Sequence, residues 1–233
     1  QYPEGRSPRW RPLGRTHAPR GLLSVNRLDL VRRLIAESGT TSLAIGSTLN
    51  QRGDALNFVN WIDDAWLEIQ GLLNWPSLWE DAQVTITAGN STVSGALSHK
   101  RYSRDSMRLV TGERPNYLPW DEFRLQYPIV DSVASVTAWT IRPDRSIAIN
   151  SLVDADTVLK VERFRMPGRF ATDTDEPLLF AEHHMMIVWR ALMLYGSFDE
   201  AGVVYKRGAA EYAQMKRLAA GDLPDMQPGD ALL

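Results

Sequence analysis

Apolar residues recur at helical spacing in four stretches of the chain and alternate at strand spacing between them. Leu28, Val31, Leu34 and Ile35 form one stripe, with Asn26 placed to cap its start and Gly39 to stop it. This predicts a first helix over 26–38. Leu56, Val59, Ile62, Trp66, Ile69 and Leu73 recur at steps of three and four, which predicts a second helix over 50–73. Phe58 and Trp61 widen its apolar face, while Asp54, Asp63, Asp64 and Glu68 read as its solvated side. Asn74-Trp75-Pro76 ends it.

Residues 82–170 read as strands. AQVTITAGNSTVSG alternates around a Gly-Asn turn. SVASVTAWTI and SIAI flank RPDR, a turn built on Pro143 and Asp144. TVLKVERF alternates again, with its charges on one face. A small antiparallel sheet or sandwich is expected here.

A third helix is expected over 176–195, with Thr174 or Asp175 as cap, Pro177 in the first turn and Gly196 as terminator. A fourth is expected over 198–220, opened by a capping box of Ser197 and Glu200. The short link makes the last two helices antiparallel neighbours. The fold class is therefore α+β: a helical bundle of two N-terminal and two C-terminal helices, an inserted antiparallel β region, and an extended arm at each end. The body of the fold spans 24–220.

The ends differ in charge. Residues 1–23 hold four prolines, three glycines and five arginines against one glutamate, and show no amphipathic period. Such an arm is ordered only by lying on something else, its own domain or a neighbouring subunit. Residues 221–233 form an acidic tail with Asp222, Asp225 and Asp230 and no basic residue. We expect one or both ends on a neighbouring subunit or partner. The candidate contacts are Arg6, Arg9, Trp10, Arg11 and Arg15 in the arm and Asp222, Leu223, Pro224, Asp225 and Asp230 in the tail. The first methionine is Met107, so Gln1 is not an ordinary initiator. No apolar secretory segment opens the sequence.

The net charge of −2 argues against a general affinity for nucleic acid or membrane. With no cysteine, disulfides, zinc–thiolate sites and thiol nucleophiles are excluded. His183 and His184 suggest a metal site, but one helix chelates through residues three or four apart, and those positions hold Met186, Ile187 and Val188. One histidine is expected at solvent or a subunit contact, the other hydrogen-bonded at the core edge. The apolar run 185–195 is too short to span a bilayer. The carboxylate pairs 63–64, 121–122 and 199–200 stand side by side and do not converge as acid–base chemistry requires. No phosphate-binding glycine motif and no nucleophile elbow occurs. No cofactor is expected. The basic run 98–108, with Lys100, Arg101, Arg104 and Arg108 around Tyr102, is a candidate DNA-facing loop.

Four segments resemble the head–tail adaptor (connector) proteins of tailed bacteriophages. They are NFVNWIDDAWLEIQ at 57–70, followed by Trp75 and Trp79; RPNYLPWDEFRLQY at 114–127; ADTVLKVERFRMPGRF with DTDEPLLF at 155–180; and HHMMIVWRALMLYGSFDEAGVVYKRGAAEYAQMKRL at 183–218. Their order along roughly residues 24–222 carries the likeness; the basic arm departs from the family pattern. The resemblance implies a structural virion protein without enzymatic activity. It implies a ring of twelve copies at the head–tail junction, docked between portal and tail or nozzle proteins. Such a ring lines the DNA exit channel, touches genomic DNA transiently, needs no membrane, and passes through the host cytoplasm during assembly. The competing readings are a metal-dependent enzyme using Glu182, His183 and His184, and a nonspecific DNA-binding virion component.

Overall fold

The computed structural model describes residues 25–40, 42–93 and 99–221. Both terminal extensions, with the candidate contacts at Arg6, Arg9, Trp10, Arg11, Arg15, Asp222, Leu223, Pro224, Asp225 and Asp230, lie outside the described residues.

Helix α1 is Arg27–Ser38. The Asn26 side chain accepts the Asp29 amide at 3.0 Å, satisfying one of the donors a helix start leaves open. Gly39 closes the helix at φ 80°. The loop after Phe170 supports the same end: the carbonyls of Asp175 and Asp173 accept the Arg27 and Leu28 amides at 2.8 and 3.2 Å. Helix α2 is Gly53–Leu72. Val59, Ile62, Trp66 and Ile69 are buried as the spacing requires, while Leu56 is 40% exposed. Asp63 departs from the expected solvated face. It is buried and takes a two-pronged ion pair from Arg27, Nε to Oδ1 at 3.1 Å and a terminal nitrogen to Oδ2 at 2.7 Å. A buried carboxylate needs such a partner. Nothing in the linear pattern reveals it, because the cation comes from another helix.

The β region runs from Trp79 to Arg165 as β1 Trp79–Ile86, β2 Thr92–Val93, β3 His99–Tyr102, β4 Arg108–Leu109, β5 Asn116–Tyr117, β6 Ala138–Ile141, β7 Ile147–Ile149 and β8 Thr157–Arg165. One sheet has the order β1-β8-β3, with β4 also on β8; the other has the order β2-β7-β6-β5. All pairings are antiparallel except β5 with β6. Ala82 stands opposite Val161, and Val84 opposite Leu159. These side chains and Trp139, Ile147 and Ile149 of the second sheet form one buried cluster. Period-two alternation therefore set the right faces.

The expected turn at Gly89-Asn90 forms, but its two flanking strands do not pair with each other. β1 pairs with β8 and β2 with β7, so this turn passes the chain from one sheet to the other. Its backbone is held elsewhere: the Gly89 amide donates to Val153 at 2.8 Å and the Ile149 amide to Ser91 at 2.9 Å. The RPDR turn does link two strands, β6 and β7. There Asp144 accepts the Ser146 amide at 3.0 Å. A further helix, α3 at Trp120–Gln126, lies within the β region and was not anticipated. Two turns are too short to display a 3.6 period. The carboxylates Asp121 and Glu122 in its first turn were the available signal. Phe123 packs there against Ala138 and Ala148.

The last two helices also differ from expectation. Helix α4 is Met185–Phe198, preceded by a tight turn at Ala181–His183, and α5 is Gly202–Gly221. Asp175 does not cap α4; its carboxylate accepts the Ala171 and Thr172 amides instead. Gly196 lies inside α4, and Glu200 has φ 53°, so the capping box is absent. Gly196 serves close approach rather than termination. A Cβ there would stand 2.7 Å from the Tyr205 amide nitrogen of α5, and one at Gly208 3.0 Å from the Trp189 carbonyl of α4. Two glycines, one on each helix, let α4 and α5 touch backbone to backbone.

Candidate interaction surfaces

The histidine pair is wholly enclosed. His183 is 4% exposed and His184 2%, so neither faces solvent as one was expected to. His184 Nε2 lies 3.1 Å from the Leu179 carbonyl. Burial holds its pKa below the ordinary value, against the smaller opposing influence of that carbonyl and of Glu176 and Glu182. A charged imidazolium in that position would lose its hydration. Among the described residues no group of three or more His, Asp or Glu is placed to hold a metal ion.

The basic run separates into different environments. Lys100 Nζ reaches the Gln70 and Leu73 carbonyls at 3.0 and 2.6 Å, where the end of α2 leaves acceptors open. Burial lowers its pKa. This lysine fastens the β region to the helical body. Arg104 lies over the Tyr117 ring at 4.9 Å, and Arg108 stands 3.8 Å from Asp81. Arg101, half-buried, is on the same short strand as Lys100. Asp121 pairs with Arg124 at 3.0 Å, and Asp199 accepts the Tyr195 hydroxyl at 2.9 Å. The paired carboxylates thus do not converge on a cleft.

Two concavities mark the helical body. One, of about 360 Å³, is lined by Trp66, Phe170, Met166, Leu178, Arg165 and Arg169 among others. The Trp66 and Phe170 rings stack at 5.7 Å. Its arginines are engaged, Arg165 with Glu80 at 3.5 Å and Arg169 with Asp64 at 3.1 Å. The other, of about 230 Å³, lies between α2 and α4. Phe58, Trp61, Tyr195 and Phe198 form its aromatic walls, with ring centroids 5.1 to 5.6 Å apart. Asp54 and Asp199 stand at its edge. Phe58 is buried in the core and Trp61 packs against it, as their place on the widened apolar face of α2 predicts, and both also line this cavity. The available signal was a pair of aromatics three apart on each helix, 58 and 61, then 195 and 198.

The surface of α5 is mostly open. Of its 20 residues only Gly208 and Ala219 are buried, and Val203, Tyr205 and Leu218 are exposed. Among the described residues, no helix is long and apolar enough to cross a membrane.

A model of one protein family, the SU10 adaptor protein, matches residues 26–231. The chain belongs to the SU10 adaptor protein family. The adaptor is thus a phage head–tail adaptor, a structural virion component that associates with other head and tail proteins. Its family is structural rather than enzymatic. No curated protein matches the chain.

Proposed function

We propose that the adaptor forms a ring between the portal and the tail, through which the genome leaves the head. The observation that carries this reading is family membership across nearly the whole chain. The copy number of twelve follows the family resemblance. The exposed apolar side chains of α5, Val203, Tyr205 and Leu218, suit contact with an adjacent copy or the portal. The acidic tail, with Asp222, Leu223, Pro224, Asp225 and Asp230, extends to a neighbouring copy or the portal. Arg101, Arg104 and Arg108 at the β3 and β4 edge face the channel. DNA passing a channel calls for weak contact, which few and partly engaged arginines provide.

Mass photometry of the adaptor mixed with purified portal tests this. A discrete complex of one portal ring with a fixed number of adaptor copies is expected. Absence of co-assembly at every concentration would overturn it. A chain ending at Ala220 is expected to enter virions poorly, and normal incorporation would remove the tail from the interface.

A further inference from the structure

The aromatic cavity between α2 and α4 has the chemistry of a cation site. Its walls are the four rings of Phe58, Trp61, Tyr195 and Phe198. Ring faces attract ammonium and, better still, planar guanidinium groups. Its two edge carboxylates, Asp54 and Asp199, have no Lys or Arg ion-pair partner among the described residues. Phe198 is 68% exposed, so this wall of the cavity is open to solvent. A site with two unmatched negative charges and four rings selects a positive, flat, hydrogen-bonding group.

The chain carries such groups in the right place. Residues 1–23 contain Arg6, Arg9, Arg11, Arg15 and Arg20 against a single glutamate. They join the body at the start of α1, and Thr40, just past its far end, lines the cavity. Twelve helical residues span about 18 Å. An extended chain covers about 3.3 Å per residue, so the ten steps from Val25 back to Arg15 reach about 33 Å. An arm running back beside α1 therefore brings Arg15 or Arg11 to the cavity with length to spare. Of the two destinations open to the arm, its own domain requires no second molecule.

We propose that the aromatic cavity is the seat of the N-terminal arm of the same chain, with an arginine guanidinium held between the rings and the Asp54 and Asp199 carboxylates. The assignment stands whether or not the ring of the preceding section forms. It gives the arm a parked position on the isolated subunit.

Limited trypsin digestion of the full chain reads the docking directly, since trypsin cuts at the arginines concerned. Phe198→Ala removes a mostly exposed side chain, and Asp54→Asn with Asp199→Asn removes the charge. Each is expected to speed cleavage within 1–23 by about tenfold with the body left intact. Equal cleavage in wild type and variants overturns the proposal. A second measurement replaces all five arm arginines by serine in the full chain and follows the Trp61 indole resonance. A shifted resonance, identical at low and high protein concentration, supports docking within one chain. An unmoved resonance overturns it, and so does a shift that vanishes on dilution, which assigns the cavity to the arm of a second copy.

Discussion

Helix α4 buries Met186, Ile187, Val188, Ala191 and Leu192 against α1, α2 and α5, whereas the longer α5 buries only Gly208 and Ala219. The two are partners in one hairpin, yet one belongs to the core and the other leans on it. Along α5, Val204, Tyr212 and Met215 pack as partly buried side chains. Arg207 lies 5.4 Å over the Trp189 ring and also pairs with Glu37 of α1. The difference shows that burial of one seam is enough to position a helix when its backbone can come close. It also leaves most of the α5 surface free for other molecules.

Seven substitutions test this contrast. The largest effect belongs to the body beneath α4. Removing one partner of a buried pair leaves the other charge unpaired, so Asp63→Ala is expected to cost about 3–5 kcal/mol in chemical denaturation. Leu192→Ala should fall in a similar range, about 2–5 kcal/mol, through lost burial and the cavity left behind. If either cost less than the α5 variants below, the division into core and covering helix would fail.

The seam itself comes next. Gly196→Ala forces a methyl group into the Tyr205 backbone and is expected to destabilise by about 1–3 kcal/mol. Gly71→Ala is the matched control. It sits in α2 with nothing within 4 Å of the added carbon, so helix propensity should raise stability by up to about 1 kcal/mol. The same chemical change therefore has opposite signs at the two sites, read by thermal and urea unfolding.

The pH dependence is smaller. Burial lowers the pKa of His184 below its ordinary value of 6.5. The unfolded chain then binds the proton more readily than the folded one, so this contribution is complete above pH 6.5 and is lost as pH falls through and below it. Urea midpoints at pH 7.5 and 5.5 should differ, and His184→Gln should reduce the difference. An unchanged pH slope in the variant would remove His184 from the account. Smallest of all, Val203→Ser and Leu218→Ser on the outer face of α5 should stay within about 0.5 kcal/mol of the parent. A larger loss in the isolated chain would mean that α5 is buried more deeply than its exposed face shows.

Legibility from sequence follows the same division. The α1 cap at Asn26 and stop at Gly39, and the buried stripe of Val59, Ile62, Trp66 and Ile69 in α2, are local signals that the structure bears out. The family was legible too, because the order of aromatic and charged segments along the chain carries it. Other features escaped. Gly196 looked like a terminator because a glycine's need for space and its tolerance of unusual dihedrals leave the same letter. Asp63 looked solvated because Arg27 lies 36 positions away. The sheet change at Gly89-Asn90 left no mark because strand pairing is a choice among distant partners. The histidines looked partly exposed because the turn at Ala181–His183 that buries them has no period.

The sequence by itself determined the four long helices, the main apolar stripes, the absence of thiol chemistry and the adaptor family. Those properties depend on periodicity, on composition and on residue order. Only the tertiary structure decided which strands share a sheet, which carboxylate is buried and paired, where Lys100 is anchored, and that four aromatic rings from two helices surround one cavity. Each of these depends on side chains brought together from far along the chain. Close packing and the need to partner buried charge select such contacts, and neither leaves a local mark in the sequence.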